Sequence, residues 1–356
     1  MRNGWKSLRV VSALVLPGVL TGCGDVGGAN PEFDIPEEVL ADVRQELEVP
    51  NLTASINAAT ATANYSAACQ SNQNFYWEIG TRHGAMAGGT VNNTGGALVN
   101  AQTNMRVASA SKMIFSAYVF ESCGGVACNY NLAPTAVNAA SALRMLSGWR
   151  STTAYCPGPT INPTVAACAT DAQVVYSSYA KDKFAYGGAH MMQLAREQPH
   201  LTGLDSAGLA AEVNSWLGTY FDYEAGNPWP GGGNTATPAI YAHFLQRVLL
   251  SNVDYTNGLK LHGYLGVDPV NASSAGVIPP EQVWSYSYGH WVENAGGGTA
   301  AWDGAFSSPG AFGFYPWISR SKKVYGLVAR DSNDYFQSVR CGQAIRKAFY
   351  TAQAQP

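Results

Sequence analysis

Two serines and a lysine stand at the start of an apolar stretch, MRVASASKMIFSAYVF, at residues 105–120. The stretch predicts a helix that begins at Ser109, and a helix brings Lys112, three residues later, to the same face. A helix N-terminus disfavours an ammonium group, and burial in a cleft adds a desolvation penalty, so both effects lower the pKa of such a lysine. The amine of Lys112 can then accept the proton of Ser109, whose unpaired backbone N–H can bind an oxyanion.

The same residues also have an ordinary structural interpretation. Ser109 or Ser111 can cap the helix, while Lys112 extends along the surface with its amine in water. The Ser-x-x-Lys spacing alone is a weak signal, because it arises by chance in many chains of 356 residues. Ser111 directly precedes the lysine, so the two side chains would point apart on a helix, and Ser109 is the better candidate nucleophile.

Three further motifs lie downstream. FAYGGAHMMQLARE places Tyr186–Gly188 before a predicted helix, PGGGNTATPAIYAHFLQRVLL is a glycine-rich turn followed by a helix, and Trp302–Gly304 precedes the strand GAFGFYPWIS. With the Ser109–Lys112 pair, these motifs in this order resemble the serine β-lactamase and penicillin-binding-protein superfamily. The resemblance is nearest to its class C-like branch and the family VIII carboxylesterases, and it covers residues 40–350.

The resemblance implies a role for each motif. Ser109 is the nucleophile, Lys112 its base, and Tyr186 a proton shuttle that the neighbouring ammonium is expected to shift towards phenolate. The family takes its second oxyanion N–H from the residue after the third-motif glycine, which is Ala305 after Gly304. Together these groups imply an acyl-enzyme mechanism without a metal or another cofactor.

The position of the third motif is open between two segments. Trp302-Asp303-Gly304 is favoured, although Asp303 is unusual there. The alternative is Ser308–Gly310 with Ala311 as the oxyanion donor, and it leaves little chain before the next strand.

Two departures from the family pattern bear on the substrate. Gly188 replaces an asparagine whose amide holds the side-chain amide of a β-lactam or peptide, and Trp302 replaces a lysine that pairs with the substrate carboxylate. A tryptophan there resembles the W-G-G motif of family VIII esterases. These departures favour a small or polymeric carboxylic ester as substrate. The alternatives are an amide hydrolase, such as a β-lactamase, a D-amino-acid peptidase or a nylon-oligomer-type amidase, and a non-catalytic envelope module.

Composition limits the partners. A net charge of -3 with 13% charged residues excludes a basic nucleic-acid binder. The six histidines are scattered, and none has a CxxC or HxxxH neighbourhood, so we expect no metal site. His190 is interpreted as a core or surface residue, and no spacing argues for a relay of His290, Glu293 and Asp303.

The N-terminus has the pattern of an export signal. MRNGWKSLR is basic, VVSALVLPGVL is apolar, and LTGC follows. This end resembles the lipobox of bacterial lipoproteins, in which Cys23 is lipidated and a tether over residues 24–40 follows. Residues 1–23 are therefore predicted to be a signal peptide. The protein is expected in the bacterial cell envelope as an outer-membrane or cell-surface lipoprotein, and otherwise as a periplasmic or secreted protein.

Seven cysteines minus Cys23 leave an even number, which in an exported protein predicts disulfides. Fifteen pairings exist for six cysteines. Local spacing favours Cys123–Cys128 and Cys156–Cys168, which leaves Cys69–Cys341 to join the two chain ends.

The order of predicted elements gives an α+β fold of the β-lactamase/transpeptidase type. Strand patterns occur at both ends of the chain, and helical patterns separated by Gly/Pro loops fill the middle. We expect residues 41–120 and 285–353 to form an antiparallel sheet flanked by helices. Residues 121–284 are expected to form an inserted all-helical subdomain, with the site between the two.

Overall fold

The computed structural model describes residues 47, 49, 51–71, 73–124, 138–158, 161–250, 257–272, 276–293 and 303–356. The predicted signal peptide and tether, with Cys23, lie outside these residues. The described elements in chain order are α1 (Leu52–Tyr65), β1 (Phe75–Thr81), β2 (Gly84–Val91), β3 (Met105–Arg106), a 3₁₀ turn (Ala108–Ala110), α2 (Ser111–Cys123), α3 (Ala139–Leu143), β4 (Ser147–Arg150), α4 (Val165–Asp171), β5 (Val175–Lys181), α5 (Ala189–Arg196), α6 (Ser206–Leu217), β6 (Asp222–Tyr223), β7 (Asn234–Ala236), α7 (Pro238–Leu250), α8 (Leu261–Tyr264), β8 (Val270–Asn271), β9 (Trp284–Tyr286), β10 (Trp291–Glu293), β11 (Phe306–Ser307), β12 (Phe314–Ile318), β13 (Tyr325–Arg330) and α9 (Tyr335–Thr351).

The main sheet is antiparallel and draws its strands from both ends of the chain. Its order is β2-β1-β13-β12-β11-β10-β9-β8. Helices α1 and α9 pack together and against β2, β12 and β13, while α7 contacts β1 and β13. Every residue of β1, β12 and β13 is buried, as expected for strands covered on both faces. The predicted α+β architecture is confirmed.

The middle of the chain contains helices and two smaller sheets, so the expectation that residues 121–284 are all-helical is wrong: β4 to β7 lie within this range and pair as strands. β4 pairs with β5, and β3, β7 and β6 form a separate three-stranded sheet. Helix α7 and strand β8 fall within the range predicted for the helical subdomain, yet both contact elements of the main sheet. The boundaries of the two subdomains stay a prediction.

Helix α2 runs through the core and carries the candidate site at its start. Its residues from Ser111 to Phe120 are all buried, which explains why its sequence is apolar all round. The α-helix begins at Ser111, and Ser109 lies in the preceding 3₁₀ turn. Within the described ranges, none of the helices has both the length and the apolar character needed to cross a membrane.

Two predicted disulfides are present. Cys69–Cys341 joins the segment after α1 to α9 with a Cα–Cα distance of 4.5 Å, and Cys156–Cys168 closes a local loop at 5.0 Å. Both distances suit a disulfide. Cys123 is also disulfide-bonded, and its predicted partner Cys128 lies outside the described residues.

Candidate active site

The 3₁₀ turn and the first turn of α2 bring Ser109 and Lys112 together. The amine Nζ of Lys112 donates to Ser109 Oγ at 2.9 Å and to the backbone carbonyl of Gly231 at 2.7 Å. The lysine side chain is enclosed, with 3% of its surface exposed. Gly231 lies in the glycine-rich turn before α7, so that turn fixes the lysine from the other side of the cleft.

Burial sets the charge of Lys112. Removal of its amine from water lowers the pKa of Lys112 to about 7. A substantial fraction of the amine is therefore neutral near neutral pH, and a neutral amine at this distance can accept the Ser109 proton. This is the property that the sequence predicted for a general base.

Tyr186 completes the cluster. Lys112 Nζ lies 4.8 Å from the centre of its ring, which also packs against Trp291 at 4.9 Å and Tyr286 at 5.6 Å. Burial raises the pKa of Tyr186 to about 12, and hydrogen bonding with Ser109 and Trp291 opposes this only in part. The expected shift towards phenolate is therefore wrong, because desolvation dominates and Lys112 has lost much of its own charge. Tyr186 is a neutral phenol that can donate a hydrogen bond.

The third motif lies beside Ser109 as Ser308–Gly310. The hydroxyl of Ser308 donates to the backbone carbonyl of Ser109 at 3.1 Å. A Cβ on Gly310 would stand 2.1 Å from the carbonyl oxygen of Val107, so only glycine allows this approach. Ala311 then lines the cleft with Ser109. Neither its N–H nor that of Ser109 donates to another group in the described part of the chain, so both are free for an oxyanion.

The favoured assignment to residues 302–304 is therefore corrected. Ala305 is fully buried, its carbonyl accepts from the N–H of Glu293, and it lies three strand residues, about 10 Å, before Ser308. Asp303 and Gly304 precede Ala305 and are therefore still further along the chain from Ser308, and Trp302 is outside the described residues.

Ser308–Gly310 was the less favoured position for the third motif because it leaves little chain before the next strand, β12. Gly313 has φ +91°, and Gly310 N–H donates to Phe314 O at 2.8 Å. This tight turn lets β12 begin at once, so the available chain is sufficient.

Trp229 is a cleft residue that the sequence analysis missed. A Cβ on Gly188 would stand 2.1 Å from the indole Nε1 of Trp229, so the indole occupies the room that a side chain at position 188 would need. Trp229 also lines the cavity beside Ser109 and Lys112. Its place in WPGGG, next to the predicted glycine-rich turn, was the available signal.

His190 holds the segment that carries Tyr186. Its Nε2 donates to Ala185 O at 2.8 Å, and its Nδ1 accepts from the Ser147 hydroxyl at 2.7 Å. Burial lowers the pKa of His190 to about 4, so the ring is neutral. His190 is thus a structural residue that positions the loop before α5.

No relay involves His290 and Glu293. Glu293 forms a buried ion pair with Arg346 at 2.6 Å and accepts from the Tyr315 hydroxyl at 2.6 Å. His290 accepts from the N–H of Gly266 at 3.0 Å through its Nε2. Both side chains are used within the core. In the described ranges no group of three or more His, Cys, Asp or Glu residues is arranged to hold a metal ion.

The cleft in front of Ser109 has a volume of about 590 Å³, a size suited to a small organic substrate. Ala108, directly before the serine, has φ +45°, an unusual conformation for a non-glycine residue and one found at functional sites. The cavity is lined by residues from the start of α2, the segment before α5, the glycine-rich turn and the chain after the third motif. They include Ser109, Lys112, Gly188, Trp229, Ala311 and Phe312.

Comparisons with known proteins bear on the fold. No protein-family model and no curated protein sequence matches the chain. Among solved structures, EstCE1, a hydrolase with promiscuous acyltransferase activity, is 14% identical over 88% of this chain and 99% of its own, with a TM-score of 0.54. A penicillin-binding-protein homolog from Caulobacter crescentus is 12% identical over 85% and 97%, with a TM-score of 0.55. A β-lactamase from Mycobacterium bovis is 15% identical over 78% and 93%, with a TM-score of 0.52. The chain therefore has the fold shared by serine β-lactamases and penicillin-binding proteins.

Proposed function

We propose that this protein is a serine hydrolase that cleaves carboxylic esters through an acyl-enzyme on Ser109. The observation that carries the proposal is the buried amine of Lys112, 2.9 Å from Ser109 Oγ and with a pKa of about 7. A buried amine without a carboxylate partner is costly for folding, so its placement beside a cleft serine argues against a non-catalytic module. Hydrolases with the same fold, such as EstCE1, support the proposal.

The reaction has two steps, acylation of Ser109 and hydrolysis of the acyl-enzyme. Neutral Lys112 accepts the Ser109 proton as Oγ attacks the ester carbonyl, and the oxyanion accepts hydrogen bonds from the N–H groups of Ser109 and Ala311. The proton then passes to the leaving alkoxide through the phenol of Tyr186, which releases the alcohol. Water then attacks the acyl-enzyme while Lys112 accepts its proton. Lys112 returns that proton to Ser109 Oγ as the acyl C–Oγ bond breaks, which releases the acid and restores free Ser109 and the neutral amine.

Two contacts favour an ester over an amide substrate. Trp229 occupies the room beside Gly188 where the family pattern has an amide side chain for the substrate. The first residue of the third motif is Ser308, a buried hydroxyl bonded to the backbone of Ser109, where the family pattern has a cation. The motifs thus lack the partners for a β-lactam's amide and carboxylate, whereas an ester needs only the nucleophile, base and oxyanion donors.

We also propose that the protein is exported and lipid-anchored at Cys23. Its disulfides support an oxidising compartment. Metabolic labelling with a fatty-acid analogue tests the anchor: the label is expected in the wild-type protein and absent from Cys23→Ser. Equal labelling of the two would contradict it.

Two serines test the catalytic assignment. Ser109→Ala should abolish hydrolysis of p-nitrophenyl butyrate, because the nucleophile is lost. Ser111→Ala is the matched control: the Ser111 hydroxyl accepts from the N–H of Asn234 at 3.1 Å and forms no hydrogen bond with Lys112 or Ser109 among the described residues, so most activity should remain. Equal losses in both variants would overturn Ser109 as the nucleophile.

A further inference from the structure

An arginine stacked on an aromatic ring stands at the rim of the cleft. Arg106, in β3, lines the same cavity as Ser109, and its guanidinium carbon lies 3.8 Å from the centre of the Phe312 ring. Glu224 also lines the cavity, and its Oε1 is 3.8 Å from Arg106 Nε. The rim therefore holds a cation that lies over the face of an aromatic ring.

The donors of this guanidinium are available. The separation from Glu224 is too long for a hydrogen bond. Among the described residues, no side chain or carbonyl accepts one from Arg106, and 51% of its side chain is exposed. A guanidinium offers a planar fork of N–H groups that matches a carboxylate with two hydrogen bonds. The stacked face holds the fork in place without using these donors.

The fork is close to the reacting centre. Arg106 precedes Ser109 by three residues, so their Cα atoms are separated by about 10 Å at most. Phe312, the ring beneath the guanidinium, follows Ala311 of the oxyanion site directly. A substrate whose carbonyl sits in that site and whose chain extends by a few bonds along this wall brings its end to Arg106.

We propose that the cleft selects esters that carry a carboxylate a few bonds from the scissile carbonyl, with Arg106 as the group that binds it. This rests on the proposed ester hydrolysis. Glu224 competes with the substrate: its carboxylate pairs weakly with Arg106 until the substrate carboxylate replaces it.

The test compares esters that differ by one carboxylate. Mono-p-nitrophenyl glutarate is paired with p-nitrophenyl pentanoate, in which a methyl group replaces the carboxylate, to probe the acyl side. 4-Acetoxybenzoate is paired with its methyl ester to probe the alcohol side. Each kcat/KM is corrected for spontaneous hydrolysis. The readout for each pair is the ratio of kcat/KM for the charged ester to kcat/KM for the neutral ester.

In at least one pair, Arg106→Met should lower that ratio by about tenfold, because the bidentate partner is lost. Glu224→Gln should raise the same ratio, because the competing charge is gone. Arg144→Met is the matched control, since this arginine also faces a ring, that of Tyr288 at 5.6 Å, but does not line the cleft. Its ratio should equal that of the wild type. Matching unfolding midpoints establish that all variants fold.

An unchanged ratio in Arg106→Met for both pairs would overturn the proposal and leave ester hydrolysis intact. If the wild-type protein cleaves none of the four esters, the proposed function fails instead. Calorimetric titration with glutarate then tests the anion site directly: binding that is lost in Arg106→Met supports it, and no binding to the wild type overturns it.

Discussion

The pH dependence of ester hydrolysis follows from the burial of Lys112. Only the neutral amine can accept the Ser109 proton, and burial lowers the pKa of Lys112 to about 7. Activity should therefore rise with pH through this value and level off above it. About half of the amine is neutral at pH 7 and about 1% at pH 5, so kcat/KM should fall by roughly 50-fold between these two values.

Neighbouring groups do not titrate within the pH range in which kcat/KM is expected to rise. Burial places the pKa of Tyr186 at about 12 and that of His190 at about 4, both outside the range from pH 5 to pH 9. A single inflection near pH 7 is the expected result.

The assay measures kcat/KM for p-nitrophenyl butyrate at the isosbestic wavelength of p-nitrophenol, so that ionisation of the product does not distort the signal. Circular dichroism at each pH serves as the control for folding. A profile that is flat from pH 5 to pH 9, or one whose inflection lies near the ordinary lysine value of 10.5, would refute the argument that the buried amine is the base.

Three further outcomes are expected. Gly310→Ala should abolish esterase activity, because its Cβ would meet the carbonyl oxygen of Val107. Gly263→Ala, which has open space around its Cβ, should retain activity. Loss of activity in both variants would weaken the oxyanion assignment. Lys112→Met should inactivate the enzyme yet raise the free energy of unfolding by on the order of 2 kcal/mol, since the desolvation penalty of a buried amine outweighs its two hydrogen bonds. A lower free energy of unfolding in denaturant would count against this. The wild-type kcat/KM for p-nitrophenyl butyrate should exceed that for nitrocefin by about two orders of magnitude, because Trp229 occupies the room of the family's partner for the side-chain amide. Similar values would favour the amide hydrolase.

Local chain geometry explains why the Ser109–Lys112 pair could be predicted. A separation of three residues brings two side chains together on any helical turn, so no tertiary information was needed. The antiparallel sheet was equally accessible, because strand patterns at both chain ends and helical patterns between them restrict the fold class.

Tertiary contacts explain what the sequence analysis got wrong or missed. The third motif depends on a tight turn at Gly313 and on contact between Gly310 and Val107, neither of which is visible in residue order. Trp229 fills the room left by Gly188 although the two are far apart in the chain. The protonation of Tyr186 depends on how completely neighbours exclude water, which a motif does not specify.

Covalent labelling shows whether Ser109 is the nucleophile. The purified protein is treated with a fluorophosphonate at pH 8, and its intact mass and peptide map are measured, with Ser109→Ala and Ser111→Ala treated in parallel. One adduct per chain is expected, located on Ser109, present in Ser111→Ala and absent from Ser109→Ala. An unlabelled wild-type protein, or an adduct on another residue, would contradict this assignment.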